Sequence, residues 1–149
     1  MRIRPFLLVL AILVSFLAGT LIPKASTQSQ PPKYFLVDYM KVDPAKGQEY
    51  LSVERDLWKP IHQAYAKSGK KRWWSLYGVQ FPYGTDQKYG FVTVNAFDQF
   101  QQIEEPYSDL QEVLAKLHPN MKLDQFFTRT ENSRQLVQGE VWVLIDHVE

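Results

Sequence analysis

The chain reads as an α+β domain, a four-stranded antiparallel sheet with helices on one face. Three observations predict this. Four stretches rich in aromatic and β-branched residues alternate with two helical regions in the order β-α-β-β-α-β, the ferredoxin-like split arrangement. A short turn cluster joins the two middle strands, as a hairpin requires. The predicted strands are apolar on both faces, so helices cover one face and something else must cover the other.

Ahead of the domain, Arg2 and Arg4 precede an uncharged apolar run from Phe6 to Ile22, with small-residue cleavage sites at Ala18-Gly19-Thr20 and Ala25-Ser26-Thr27. Residues 1–27 therefore read as a secretory signal peptide. The run also reaches the lower length limit of a membrane span, so an uncleaved N-terminal anchor is the other reading, and the only route to a membrane. Residues 28–33 form a polar, proline-bearing linker, and the domain occupies 34–149. The expected address is secreted or periplasmic. There is no cysteine, which excludes a lipoprotein anchor, disulfides and thiol chemistry.

The first strand is Tyr34 to Val42, with Phe35, Val37 and Tyr39 on one face and Leu36, Asp38, Met40 and Val42 on the other. Asp43 is placed to cap a helix and Pro44 to open it. Pro60 should kink or divide that helix, and Ser68-Gly69 should close it. At about 100° per residue, Tyr50, Val53, Leu57, Ile61, Ala64 and Tyr65 make its apolar side, with Trp58 at the edge. Glu54 falls inside that side, and steps of four lead from it to Trp58 and His62. A carboxylate turned toward a core must be paired, hydrogen-bonded or protonated, so the pattern marks a polar pocket.

Lys71 to Phe81 is the second strand, with Trp73, Tyr77, Val79 and Phe81 on one side and Trp74 and Leu76 on the other. Residues 82–86 make the turn, and Tyr89 to Phe97 is the third strand. Asp98 caps a helical region that Pro106 interrupts; it resumes through Leu110, Val113, Leu114 and Leu117 and breaks at His118-Pro119-Asn120. Asp124 to Leu136 is expected as a further helical piece with Phe126, Phe127 and Thr130 inward. Gln138-Gly139 then reads as a turn into the last strand, Glu140 to Val148. A second copy is the simplest cover for the open sheet face, which predicts a homodimer; the alternative is that the helical insertion folds over it.

Charge narrows the partners. Lys and Arg number 17 against 16 Asp and Glu, so no strong field points to nucleic acid. Lys67, Lys70, Lys71 and Arg72 read as cations complementing a helix C-terminus, or as an anion-binding rim.

The segments YMKVDPAKGQEYL, ERDLWKPIH and WWSLYGVQFPYG resemble the dimeric α+β barrel superfamily, including its NIPSNAP-like and antibiotic-biosynthesis-monooxygenase-like domains. The chain is most similar to small secreted bacterial members with no assigned activity. The resemblance covers most of the chain after residue 33. It implies a ligand between the sheet and the first helix, the cavity that Glu54 marks independently. The Asn, Trp and His constellation of haem-degrading members has no residue-by-residue match here.

Glu54 and His62 are the candidate catalytic residues, Glu54 as a general base whose pKa burial raises and His62 as its proton-sharing partner. Trp58, Trp73, Trp74, Tyr77 and Tyr39 are the candidate ligand-binding residues, offering flat apolar surface with polar tips. The plainer reading has Glu54 accepting hydrogen bonds from tyrosine, indole or Arg72 as part of the core. His62, His118 and His147 fall in three different elements without metal-ligand spacing, so no metal is expected, and no motif calls for a cofactor. Three functions follow: a binder of a small, largely apolar or aromatic molecule, a cofactor-independent monooxygenase or isomerase, or a structural domain whose aromatics fill their own core. An enclosed cavity of roughly a few hundred Å³ beside Glu54 would favour the first two.

Overall fold

In the computed structural model, which describes residues 30–82, 84 and 87–148, the sheet is built from β1 (Tyr34–Lys41), β2 (Trp73–Gly78), β3 (Phe91–Phe97) and β4 (Gln135–Val143). Their order is β2-β3-β1-β4, and every neighbouring pair is antiparallel. The tip of the β2–β3 hairpin, at residues 83, 85 and 86, and the leader at 1–27 lie outside the described residues.

The long connection after β1 begins as expected. The Asp43 carboxylate accepts from the Ala45 N–H at 2.8 Å and Pro44 opens a single 3₁₀ turn, Pro44–Lys46. Helix α1 follows, wound as α over Gly47–Ser52, as a wider π turn over Val53–Trp58, and as α again over Lys59–Lys67. In that turn the Lys59 N–H donates to the Glu54 carbonyl five residues back, and Pro60, with no N–H to donate, comes directly after it. The wide turn buries Val53 with Glu54 and Leu57 with Trp58, two adjacent residues per turn. α1 ends in a Schellman arrangement, Lys70 N–H to Tyr65 carbonyl and Gly69 N–H to Ala66 carbonyl, with Gly69 at φ +76°.

Three shorter helices complete the layer: α2 (Gln101–Glu104), α3 (Leu110–Leu117) and α4 (Leu123–Ser133). The main apolar cluster lies among helices: Val53, Leu57, Trp58, Ile61 and Tyr65 of α1 pack with Leu110 and Leu114 of α3 and Phe126 of α4. The sheet face toward α1 carries the polar Asp38, Thr93 and Asn95 at its centre, with the apolar Met40, Phe91 and Phe97 around them. The opposite face carries Phe35, Val37, Tyr39, Trp73, Tyr77, Val92, Val94 and Trp142 around an apolar groove of about 540 Å³.

Several sequence expectations are corrected. The last strand is Gln135–Val143, so Gln138-Gly139 is not a turn; Gly139 sits mid-strand opposite Asp38. A Cβ on Gly139 would stand 3.4 Å from Asp38 Oδ1, so glycine here leaves space for a carboxyl group on the same face. The β1–β4 register shifts between Tyr39 and Met40, leaving Val137 as the extra residue of a bulge. Leu136 therefore belongs to β4 rather than to a helix, and Ile145 and Val148, expected in the strand, lie exposed beyond it. Phe126 and Thr130 point inward on α4, whereas Phe127, one residue round the helix from Phe126, is 40% exposed. Lys71, expected to open the second strand and to serve the cation cluster at the helix C-terminus, precedes β2, which begins at Trp73, and is buried.

Candidate functional site

Glu54 is 1% exposed, turned from α1 toward the sheet. Beside it is a cavity of about 80 Å³ lined by Asp38, Glu54, Trp58, His62, Trp74, Thr93, Asn95, Tyr107 and Arg134. That is room for two or three waters at about 30 Å³ each, well short of the few hundred Å³ that would favour a ligand beside Glu54. Its walls carry an unusual density of ionisable groups for a space this small.

Burial pushes the Glu54 carboxyl above the ordinary carboxylate range. The Arg134 guanidinium, 3.6 Å from Oε1, opposes the rise, as does the Tyr50 hydroxyl directed at it. Neither Glu54 Oε1 nor the Tyr50 hydroxyl completes a hydrogen bond among the described residues. Asp38 is raised as well, again chiefly by burial, with Arg134 and Lys71 opposing. Burial thus favours the neutral form of both carboxyls that line this small space.

His62 forms the boundary of this cavity. Its ring is stacked between two indoles, Trp58 at 5.6 Å and Trp74 at 4.7 Å, both near parallel. The four-residue step from Trp58 to His62 provides one contact and the parity of β2, which turns Trp74 toward α1, provides the other. Only the ring edge remains for polar contacts. The Lys71 Nζ lies 3.0 Å from His62 Nδ1 and 2.6 Å from Asn95 Oδ1. While Lys71 is charged its ammonium group only donates, so in that state Nδ1 accepts and the ring proton sits on Nε2. Burial, with Lys71 second, pushes His62 down to about 2, so the ring is neutral. It can present an N–H donor, and it cannot act as a cation near neutral pH.

Lys71 is held in a cage. The Tyr107 ring lies 4.9 Å from Nζ, and the rings of Tyr65 and Phe97 lie at 5.6 Å. Burial nevertheless pushes its amine down to about 7, with Asp38 opposing. The Trp58 indole donates to Thr130 Oγ1 at 3.1 Å, which satisfies it away from the cavity.

On the other side of His62 and Trp74 is a groove of about 600 Å³, between α1 and the edge strand β2. Arg55, Lys59, Gln63 and Ala66 line it from α1, and Arg72, Trp73, Ser75, Leu76 and Tyr77 from β2 and its approach. His62 and Trp74 are the residues common to groove and cavity. Of the predicted site residues, Glu54, Trp58, His62 and Trp74 meet at the cavity, and Trp73 and Tyr77 join His62 and Trp74 at the groove. Tyr39 lies elsewhere. As an odd-numbered residue of β1 it faces the opposite side of the sheet, where its hydroxyl donates to Glu140 Oε2 at 2.9 Å.

Sequence reasoning did not single out Asp38, Lys71, Asn95, Tyr107 or Arg134 as site residues. Asp38 carried the same signal as Glu54, a charge at an apolar position; Lys71 was hidden in a run of cations. Among the described residues no group of three or more His, Asp or Glu is placed to hold a metal ion, and no helix is long and apolar enough to cross a membrane. The site and fold define an α+β domain with a cluster of buried ionisable side chains between its sheet and first helix. No family model matches the chain, and no curated protein matches it either.

Proposed function

We propose that the chain is an exported small-molecule-binding domain of the ferredoxin-like, dimeric α+β barrel type, with its ligand between the sheet and α1. The strand order β2-β3-β1-β4 and the all-antiparallel pairing support that fold type, and the sequence of residues 1–27 supports export. The observation that carries the binding reading is the 600 Å³ groove whose inner wall, His62 and Trp74, backs onto the polar cavity of Glu54. The groove's volume is that of an ordinary ligand site, and its aromatic walls suit a flat molecule.

A second reading is favoured by one feature, the Glu54 carboxyl with a raised pKa, whose Oε1 is ion-paired with Arg134 but accepts no hydrogen bond and lies beside the cavity. Those are the attributes of a proton-transfer group in a cofactor-independent oxygenase or isomerase.

Ligand-observed NMR with a library of flat aromatic fragments tests both readings. Hits should bind wild type and be lost in Ala66→Trp, which fills the groove from α1. An empty screen, or hits indifferent to that variant, overturns the binding reading. A hit that the protein turns over should still bind Glu54→Gln but react at least about a hundredfold more slowly; unchanged turnover excludes Glu54 as the proton-transfer group.

A further inference from the structure

The groove between α1 and β2 has a charge pattern unlike that of the chain as a whole. Its lining includes the cations Arg55, Lys59 and Arg72 and no Asp or Glu, although acids and bases are almost equal in number over the sequence. Arg72 is engaged by Asp98 at 3.6 Å. Arg55 and Lys59, one turn apart on the exposed side of α1, make no ion pair or side-chain hydrogen bond among the described residues. At the inner end, the 5%-exposed His62 has Nδ1 committed to Lys71, which leaves Nε2 as its unpartnered polar atom. With Lys71 charged, every polar group that the groove offers from α1 at these three positions is a donor. From the edge strand the groove is lined by Trp74, on the α1 side of the sheet, and along the strand edge by Trp73 and Tyr77.

Resting on the proposed binding role, we propose that the ligand is a planar organic anion, an aromatic or conjugated carboxylate. Its flat body lies against Trp74 at the edge of β2, and its carboxylate meets Arg55 and Lys59. A charged acceptor facing free cations forms the stronger class of hydrogen bond, and a site without carboxylates imposes no like-charge repulsion. The His62 Nε2–H reads an acceptor at the inner end. Glu54 and Asp38, behind Trp74, are kept off the ligand's charge by burial and by Arg134.

The test compares 2-naphthoate with 2-naphthamide, which share a ring and differ in charge, by tryptophan fluorescence and NMR titration of the purified protein. Wild type should prefer the acid by about tenfold or more, and the preference should shrink as salt is raised. In Arg55→Gln/Lys59→Gln the preference should vanish while the amide's affinity stays. Both positions are exposed, and an unchanged circular dichroism spectrum confirms that the variant is folded. Equal binding of both probes to wild type overturns the anion assignment and leaves the binding role standing. A preference that persists in the double variant overturns the placement on Arg55 and Lys59. Failure of both probes, together with an empty fragment screen, overturns assignment and binding role alike.

Discussion

Lys71 shows how one side chain can set the chemistry of its neighbours. Its Nζ reaches both His62 Nδ1 and Asn95 Oδ1, so it ties α1 to β3 and, while charged, fixes the histidine tautomer. The folded protein holds its pKa at about 7, below the ordinary 10.5. Between those two values the unfolded chain binds more protons than the folded one, so this group makes stability rise with pH across that window. Below pH 7 the buried ammonium is retained and the desolvation cost is present in full. Urea unfolding of wild type and Lys71→Met at pH 6.5 and 9.5 isolates the effect from other titrations. The wild type should gain about 2–3 kcal/mol relative to the variant over that range. A difference that does not change with pH would contradict the depressed pKa. Glu54 was legible in the sequence because a charge interrupts a regular apolar stripe. Lys71 was not, because in KSGKKR three other cations surround it and the turn geometry alone decides which one goes inward.

That geometry belongs to the helix end. The Schellman turn after α1 brings the N–H groups of Lys70 and Lys71 back to the Tyr65 carbonyl, at 3.0 and 3.4 Å, and it requires Gly69 at positive φ. Gly69→Ala should lower stability by about 1–2 kcal/mol, the cost of a side chain in that conformation. Gly47 provides the contrast. It is helical at φ −54° and nothing lies within 4 Å of where its Cβ would be. Gly47→Ala should therefore raise stability by about 0.4–1 kcal/mol by restricting the unfolded chain. Denaturant midpoints of the two variants should move in opposite directions; movement in the same direction contradicts this account of the cap. α1 was readable because Asp43, Pro44 and Gly69 are local signals with local causes. β4 was misread because Gly139 is there for a long-range reason, the approach of Asp38 from another strand, and a glycine after glutamine looks the same whether it makes a turn or makes room. The split between groove and cavity was equally unreadable, since it depends on His62 stacking against an indole that arrives from β2.

At the scale of the whole molecule, the sheet face away from the helices is what the single chain leaves unsolved. Trp73, Tyr77 and Trp142 are between 36% and 50% exposed on it, around an apolar groove. A face of this kind on an antiparallel sheet ordinarily meets another apolar surface. The charge within reach, Glu140, is already satisfied: Tyr39, Trp142 and Gln138 donate to it at 2.9, 2.7 and 2.5 Å, and those donors hold its carboxyl below the usual range. The face is thus compatible with a second copy of itself, which we propose as its cover. The chain's own insertion is not free for the task, because α3 and α4 pack with α1. Val92 lies at the middle of this face, between Tyr39 of β1 and Tyr77 of β2. Val92→Glu would place an unpaired carboxylate against its symmetry mate, at several kcal/mol per dimer. Sedimentation equilibrium should find twice the chain mass for wild type at micromolar concentration and the single chain mass for the variant, with the same far-ultraviolet circular dichroism. A wild-type monomer at tens of micromolar would reject self-association. An undiminished Val92→Glu dimer would place the contact on a different surface, and the exposed apolar residues of β4, Leu136, Val141 and Val143, would be the next to substitute.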